Sequence, residues 1–508
     1  MSARWILDDR PLELEDLALV LSEDPPQLEL APETREALGT SRAVIEEVLA
    51  AGRTVYGVNT GFGRLAHVRI ADDQLQQLQR NLILSHATGV GEPLSIGVSR
   101  LMLLLRIKAL CRGCSGVRVA LVERLIDLFN RNWIPVIPQQ GSVGASGDLA
   151  PLAHMALCLL GMGEVWKDGV RRPTAEVYQE EGVEPFVLQA KEGLGLINGT
   201  QCMTAIGVMA WLEAERLADT ADIACAMSLE ALRGSIQPFR AEVHDARGQL
   251  GQQETARHLR RLLEGSEILP SHADCHKVQD AYSLRCVPQV HGAVRDCLRF
   301  VRGVLEAEIN AATDNPLVFA SGEVISAGNF HGQPVGQAMD FLGISLSTLG
   351  NISERRIEQM VNPALSGLPA FLAPEPGIQS GLMIPQVVAA SLASENKVLA
   401  HPSSVDTIPT SANQEDHVSM GTTAARHARD IARNTARILG IELICGAQGL
   451  EFDRSLRAGK GVEAAYACLR ERVPPLEGDR FLAPDLEEAF QLVLQGKIQD
   501  AAARALQT

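Results

Sequence analysis

GSVGASGDLAPLAH, residues 141–154, reads as a glycine-rich loop running straight into the first turn of a helix. Pro151 suits an opening turn, where its missing N–H costs nothing, and Gly161 and Gly163 mark the end of that helix. The order is loop, then helix N-terminus, so the positive end of the helix dipole is expected to face the loop. GASGD at 144–148 approaches the GxSxG elbow of serine hydrolases. Asp148 stands where that elbow needs its second glycine, and the hydrolase reading fails there.

Upstream of this loop, residues 41–51 read as a helix closed by Gly52, and VYGVNTGFG at 55–63 is too rich in glycine for a regular element. Leu75, Leu78, Leu82 and His86 recur at helical spacing, which puts His86 on the apolar face of a last turn before Gly89. Downstream, helical periodicity runs through 206–234, 290–312, 332–361, 382–400 and 417–450, far longer than the usual helix of about 11–12 residues. Short ribbons are expected only near 165–173 and 317–325. This pattern predicts a mainly α protein: an extended multi-helix bundle over 201–508 and a smaller active-site domain over 1–200. Small residues and only 4% aromatics suit close helix packing, with more bundle surface than one chain can shield, so a homo-oligomer is expected.

Of the 508 residues, 46% are hydrophobic and 21% charged, so a folded core is expected rather than a disordered chain. The net charge of −16 argues against nucleic acid and anionic membranes as partners. Charged residues interrupt the N-terminal 21 residues, which have no signal-peptide core, and the apolar run 101–105 falls well short of the ~20 residues that span a bilayer. A cytoplasmic location is expected. The ten cysteines are scattered through helix-like stretches, as buried thiols are, and the lone CxxC, Cys111 and Cys114, has no second pair to make a metal site. Dinucleotide, phosphate-loop, HExxH and EF-hand patterns are missing, and SENK at 394–397 lacks the partner motifs of an SxxK enzyme. No metal and no dissociable cofactor are expected.

Residues 141–154, with TGFG at 60–63, resemble the aromatic amino acid ammonia-lyase family. The resemblance continues through NGTQ (198–201), KVQDAYSLRC (277–286), DNPL (314–317), GNFHG (328–332), SERR (353–356) and TSANQEDHVSM (410–420), covering nearly the whole chain. It implies the fumarase/aspartase-like helical fold, a homotetramer with active sites built from more than one subunit, and a prosthetic group, 4-methylideneimidazole-5-one, made from Ala145, Ser146 and Gly147. The residue types suit that chemistry. The Gly147 nitrogen must reach the Ala145 carbonyl, a close backbone approach that larger side chains would obstruct, and Ser146 must lose its hydroxyl as water.

The resemblance also assigns roles to other residues. Tyr56 is implied as the base for the β-proton; a free phenol has a pKa of about 10, so positive neighbours or the helix end are expected to lower it. Tyr282 would orient the substrate amine or back up proton transfer. Arg285 would hold the carboxylate through its planar fork, assisted by Asn198, and Phe330 would lie against the prosthetic ring. Ser85-His86 and Glu415, beside Gln414, point to histidine as the substrate, because a buried carboxylate can accept a hydrogen bond from imidazole but has no partner beside a phenyl ring. Taken singly, Asn198 would be a loop cap, Phe330 a core residue and Glu415 a solvated charge. Ala281 departs from the proline usual at its position. Two alternatives stay open: a tyrosine or phenylalanine lyase or aminomutase, and a non-catalytic helical oligomer.

Overall fold

The computed structural model describes residues 4–22, 24–274 and 278–507; Lys277, which opens the KVQDAYSLRC motif, lies outside them. The protein is mainly helical, as expected. Among its long helices are Gln201–Ala231, Val287–Ile309, Gln333–Val361, Met383–Leu399 and Gly421–Glu451. Each lies close to an expected run, and the largest discrepancy is the first, which starts at Gln201 rather than near 206. The helix placed at 41–51 is longer than expected. It spans Pro32–Ala50, with proline in its first turn, and carries Gly39 and Thr40 within it.

Two compact units are present: Met1–Met209 with Arg302–Met339 and Pro402–Arg426, and Ala210–Val301 with Asp340–His401 and His427–Thr508. A single cut near residue 200 does not describe this division, because two later segments return to the first unit. Four of the five boundaries fall inside long helices, where no change of composition could mark them; the fifth, between His401 and Pro402, lies just past the end of helix Met383–Leu399.

In the first unit, the expected ribbons are present as an antiparallel pair, Glu164–Lys167 with Val170–Pro173, and a two-residue pair, Leu317–Val318 with Val324–Ile325. Sequence reading did not find the parallel pair Arg4–Leu7 with Gln27–Leu30, whose alternation is only four residues long. Helix Ile96–Cys111 is buried on all sides from Val98 onward, although it carries Arg100, Arg106 and Lys108. Their cationic groups donate to acceptors within the unit: Lys108 Nζ to the Asp8 and Arg10 carbonyls at 2.8 and 2.9 Å, and Arg100 to the Val20 carbonyl at 3.2 Å. No helix among the described residues is long and apolar enough to cross a membrane.

The second unit packs helices around a fully buried ion pair. Arg356 donates from Nε and Nη2 to both oxygens of Glu442 at 2.6 and 2.9 Å, and Ser228 and Ser353 donate to the same carboxylate at 2.7 and 2.6 Å. Asp219, Asp222 and His258 form a second polar cluster, in which Arg295 bridges the two carboxylates at 2.7 and 2.6 Å and already neutralises much of their charge. Removing one partner of a buried pair strands the other. Glu442→Ala is therefore expected to destabilise the protein by about 3–5 kcal/mol, measured as a lowered denaturation midpoint in urea, with Glu442→Gln losing less because its one amide oxygen still accepts and its NH2 can donate to a serine hydroxyl.

Candidate active site

The 141–148 loop is shaped by what its backbone touches. Gly147 has a φ of +73°, and a Cβ there would run into the Gly199 carbonyl, so no other residue fits. The two glycines form a parallel bridge, and the Asp148 N–H donates to the Gly199 carbonyl at 2.7 Å. Across the loop, the Met420 N–H donates to the Val143 carbonyl at 2.9 Å. Helix Leu149–Leu157 then begins, as the sequence implied.

Asp148 is fully buried and anchors this turn. It accepts from Ser142 Oγ at 2.8 Å, Thr422 Oγ1 at 2.5 Å and the Met203 N–H at 2.8 Å. Burial raises its pKa, and those donors oppose the rise. Sequence reading gave Asp148 no role beyond breaking the hydrolase pattern. Its signal was a carboxylate at the mouth of an otherwise apolar helix.

A cavity of about 480 Å³ opens onto the loop. Tyr56, Ala145, Ser146, Asn198, Phe330, Gln414 and Glu415 all line it, although they come from distant parts of the sequence. Ser146 Oγ donates to Glu415 Oε1 at 3.0 Å, and Thr410 Oγ1 donates to Oε2 at 2.7 Å. Asn198 is 2% exposed, and its side-chain oxygen has no hydrogen-bond partner among the described residues. A buried polar atom left unpaired at a cavity wall is a place for a ligand.

Tyr56 departs from expectation. Its pKa is raised, first by burial and then by the charge of Glu415, while a backbone hydrogen bond at Gly63 opposes the rise. No positive neighbour within the chain reverses this. His86 ends helix Leu75–His86 as the periodicity implied but does not line the cavity. Its Nδ1 lies 2.8 Å from the Leu82 carbonyl and 3.0 Å from Ser85 Oγ. Burial lowers its pKa, which keeps the ring neutral at pH 7, while Glu415 is near enough to pull the other way.

Gly147 sits behind Ser146 and is buried. Tyr282 and Arg285 belong to the second unit and form the short helix Tyr282–Arg285, with the guanidinium 4.5 Å from the Tyr282 ring centre. They do not line the cavity, and Tyr282 is 70% exposed. Ala281 caps this helix with a φ of −57°, within the range that proline imposes, so the backbone keeps the usual conformation without the ring. The cavity also holds His331 and His417, which no sequence argument selected; their rings stack nearly parallel with centres 5.6 Å apart. His331 was legible only as part of GNFHG.

The comparisons with known proteins agree with this geometry. The family model for aromatic amino acid lyases matches residues 12–471. A histidine ammonia-lyase from Myxococcus xanthus is 51% identical, covering 99% of both chains. Among solved structures, histidine ammonia-lyase from Trypanosoma cruzi superposes with a TM-score of 0.91 at 44% identity, covering 99% of this chain and 95% of that one. Tyrosine aminomutase from Streptomyces globisporus superposes with a TM-score of 0.93 at 37% identity, covering 99% of each. With a matching family model over most of its length, relatives above half identity and a shared helical fold, the chain belongs to the aromatic amino acid lyase family.

Proposed function

We propose that the protein is a histidine ammonia-lyase that removes ammonia from L-histidine to leave trans-urocanate, using a 4-methylideneimidazole-5-one group formed from Ala145, Ser146 and Gly147. The observation that carries this reading is the Ser146–Glu415 hydrogen bond at the wall of the cavity, which sets a carboxylate beside the residue that would become electrophilic. The tripeptide suits the group: Gly147 is held where only glycine fits, and Ser146 reaches the cavity. When formed, the group supplies an electrophilic carbon that takes up the substrate amine and turns it into a better leaving group.

The chain's own residues would do the rest. Glu415 accepts a hydrogen bond from the imidazole N–H, and neutral His86 stands within reach of its charge. The unpaired side-chain amide of Asn198 meets the substrate carboxylate with its N–H; oxygen and nitrogen of that amide exchange places by a simple flip. Phe330 covers the ring, and Gln414 flanks Glu415. Tyr56 takes the β-proton, for which it must first be deprotonated. Arg285 and Tyr282 complete the site from other copies in a homotetramer, an assembly that also covers Ile384, Val387 and Val388, exposed along one helix.

Ser146→Ala tests the reading. The variant is expected to fold with unchanged helicity, to lose at most the one water of ring closure and to form no urocanate, whereas the unaltered protein weighs two waters less than its sequence. Wild-type turnover in this variant would contradict the proposal.

Tyr56 gives a pH test. Because its pKa lies above the ordinary phenol value, the deprotonated, active fraction grows as pH rises, so kcat/KM is expected to climb through the alkaline range. Tyr56→Phe should abolish that limb and lower kcat by about 10²–10⁴-fold with KM little changed. A raised KM at normal kcat would make Tyr56 a binding residue.

A further inference from the structure

Arg106 is a cation with no carboxylate against it. It lies in the fully buried helix Ile96–Cys111, is 0% exposed and, among the described residues, forms no ion pair. Its guanidinium instead donates to the Gly195 carbonyl at 2.7 Å, to the Asn198 carbonyl at 2.8 Å and to the Gln201 side-chain oxygen. Burial pushes its pKa down to about 10, so it remains charged at neutral pH. Asp314 and Asp148 are near enough to favour the charge but form no ion pair with it, so the cost of burial outweighs them; an apolar side chain of similar volume would avoid that cost.

The acceptors show what the charge achieves. Gly195 and Asn198 close helix Glu192–Ile197, and Gln201 opens helix Gln201–Ala231; Gly199 lies between. Two carbonyls at a helix C-terminus and the first side chain of the next helix are thereby tied to one rigid fork. Both sides of the prosthetic loop's attachment hang from this junction. The Gly199 carbonyl receives the Asp148 N–H and pairs with Gly147, and Met203, one turn into the second helix, donates to the Asp148 carboxylate. A Cβ on Gly199 would strike Arg106 itself, so guanidinium and backbone are in contact.

We propose that Arg106 is a positioning residue for ring closure: by fixing the Asn198–Gly199 backbone and Gln201, it holds Gly147 and Asp148 in the one geometry from which the Gly147 nitrogen reaches the Ala145 carbonyl carbon. The inference rests on the prosthetic group proposed above. In ring closure a bond forms between those two atoms, and the Ala145 oxygen leaves as water with the amide protons of Ser146 and Gly147. The Ser146 hydroxyl leaves as a second water with the Ser146 α-proton. No oxidant is needed. Holding the ends in place removes the orientational part of the barrier, and that part is what an altered Arg106 forfeits.

The test follows the intact mass of freshly made protein. Wild-type, Arg106→Lys and Arg106→Met chains are produced by cell-free synthesis, the folded oligomer is isolated at intervals, and the fraction lighter by two waters is read by mass spectrometry. Folded Arg106→Lys, which keeps the charge but not the fork, is expected to mature about tenfold more slowly than wild type or worse. Folded Arg106→Met should be slower still, so that lysine gives partial rescue. If both folded variants lose their waters at the wild-type rate, the inference is overturned. If neither variant folds, Arg106 is a residue of the core fold and the inference is likewise overturned. A wild-type protein that never loses two waters would instead defeat the prosthetic-group reading, which separates the two failures.

Discussion

Gly147 lies so close to the Gly199 backbone that it tolerates no side chain, Gly199 is walled in by Arg106, Gln201 and Thr313, and the surroundings of the candidate site are arranged to keep the two there. One carbonyl, that of Gly199, carries the contact. It takes the Asp148 N–H, and the Asp148 side chain then gathers Ser142, Thr422 and Met203 from three separate segments. Buried polar groups of this kind are worth having only when every member is satisfied, because each unmet donor or acceptor costs about 1–3 kcal/mol. The network around Asp148 meets that condition. It holds a short turn through the turn's own Asp148 and Ser142 side chains and through partners from two other segments.

The electrostatics of the cavity follow from the same economy of charge. Glu415 faces the cavity and raises the pKa of Tyr56, while burial lowers that of His86. A site so furnished favours a substrate that brings hydrogen-bond donors to it. An aryl side chain would offer no donor to the Glu415 oxygen that Ser146 gives up when its hydroxyl leaves, with Thr410 remaining on the other.

Much of this was legible in the sequence, and unevenly so. The long helices declared themselves because apolar periodicity over twenty or more residues has few other meanings, and Pro32 and Gly39 show why a shorter helix was cut in half: a glycine inside a helix looks like its end. The two-residue strand Ile134–Pro135 and the parallel pair at the N-terminus are too short for alternation to register. Seven cavity residues were found because short motifs carry them, and chain folding alone brings Tyr56, Ser146 and Glu415 together. Arg106 and Asp148 were not singled out, since a charge in an apolar helix reads as an interruption until its acceptors are seen. The direction of the Tyr56 pKa was misjudged for a similar reason: burial raises it first and Glu415 adds to the rise, and sequence spacing shows neither. The division into units was hidden because four of its five boundaries fall inside helices.

The account's central claim is that a carboxylate-lined cavity makes this lyase act on an imidazole. Steady-state kcat/KM of the purified protein for histidine, phenylalanine and tyrosine, measured side by side by the absorbance of each unsaturated acid, tests it most directly. The account predicts a preference for histidine of about 10⁴-fold, the discrimination reached by sites built to hydrogen-bond their substrate. Comparable efficiency on phenylalanine or tyrosine would contradict it.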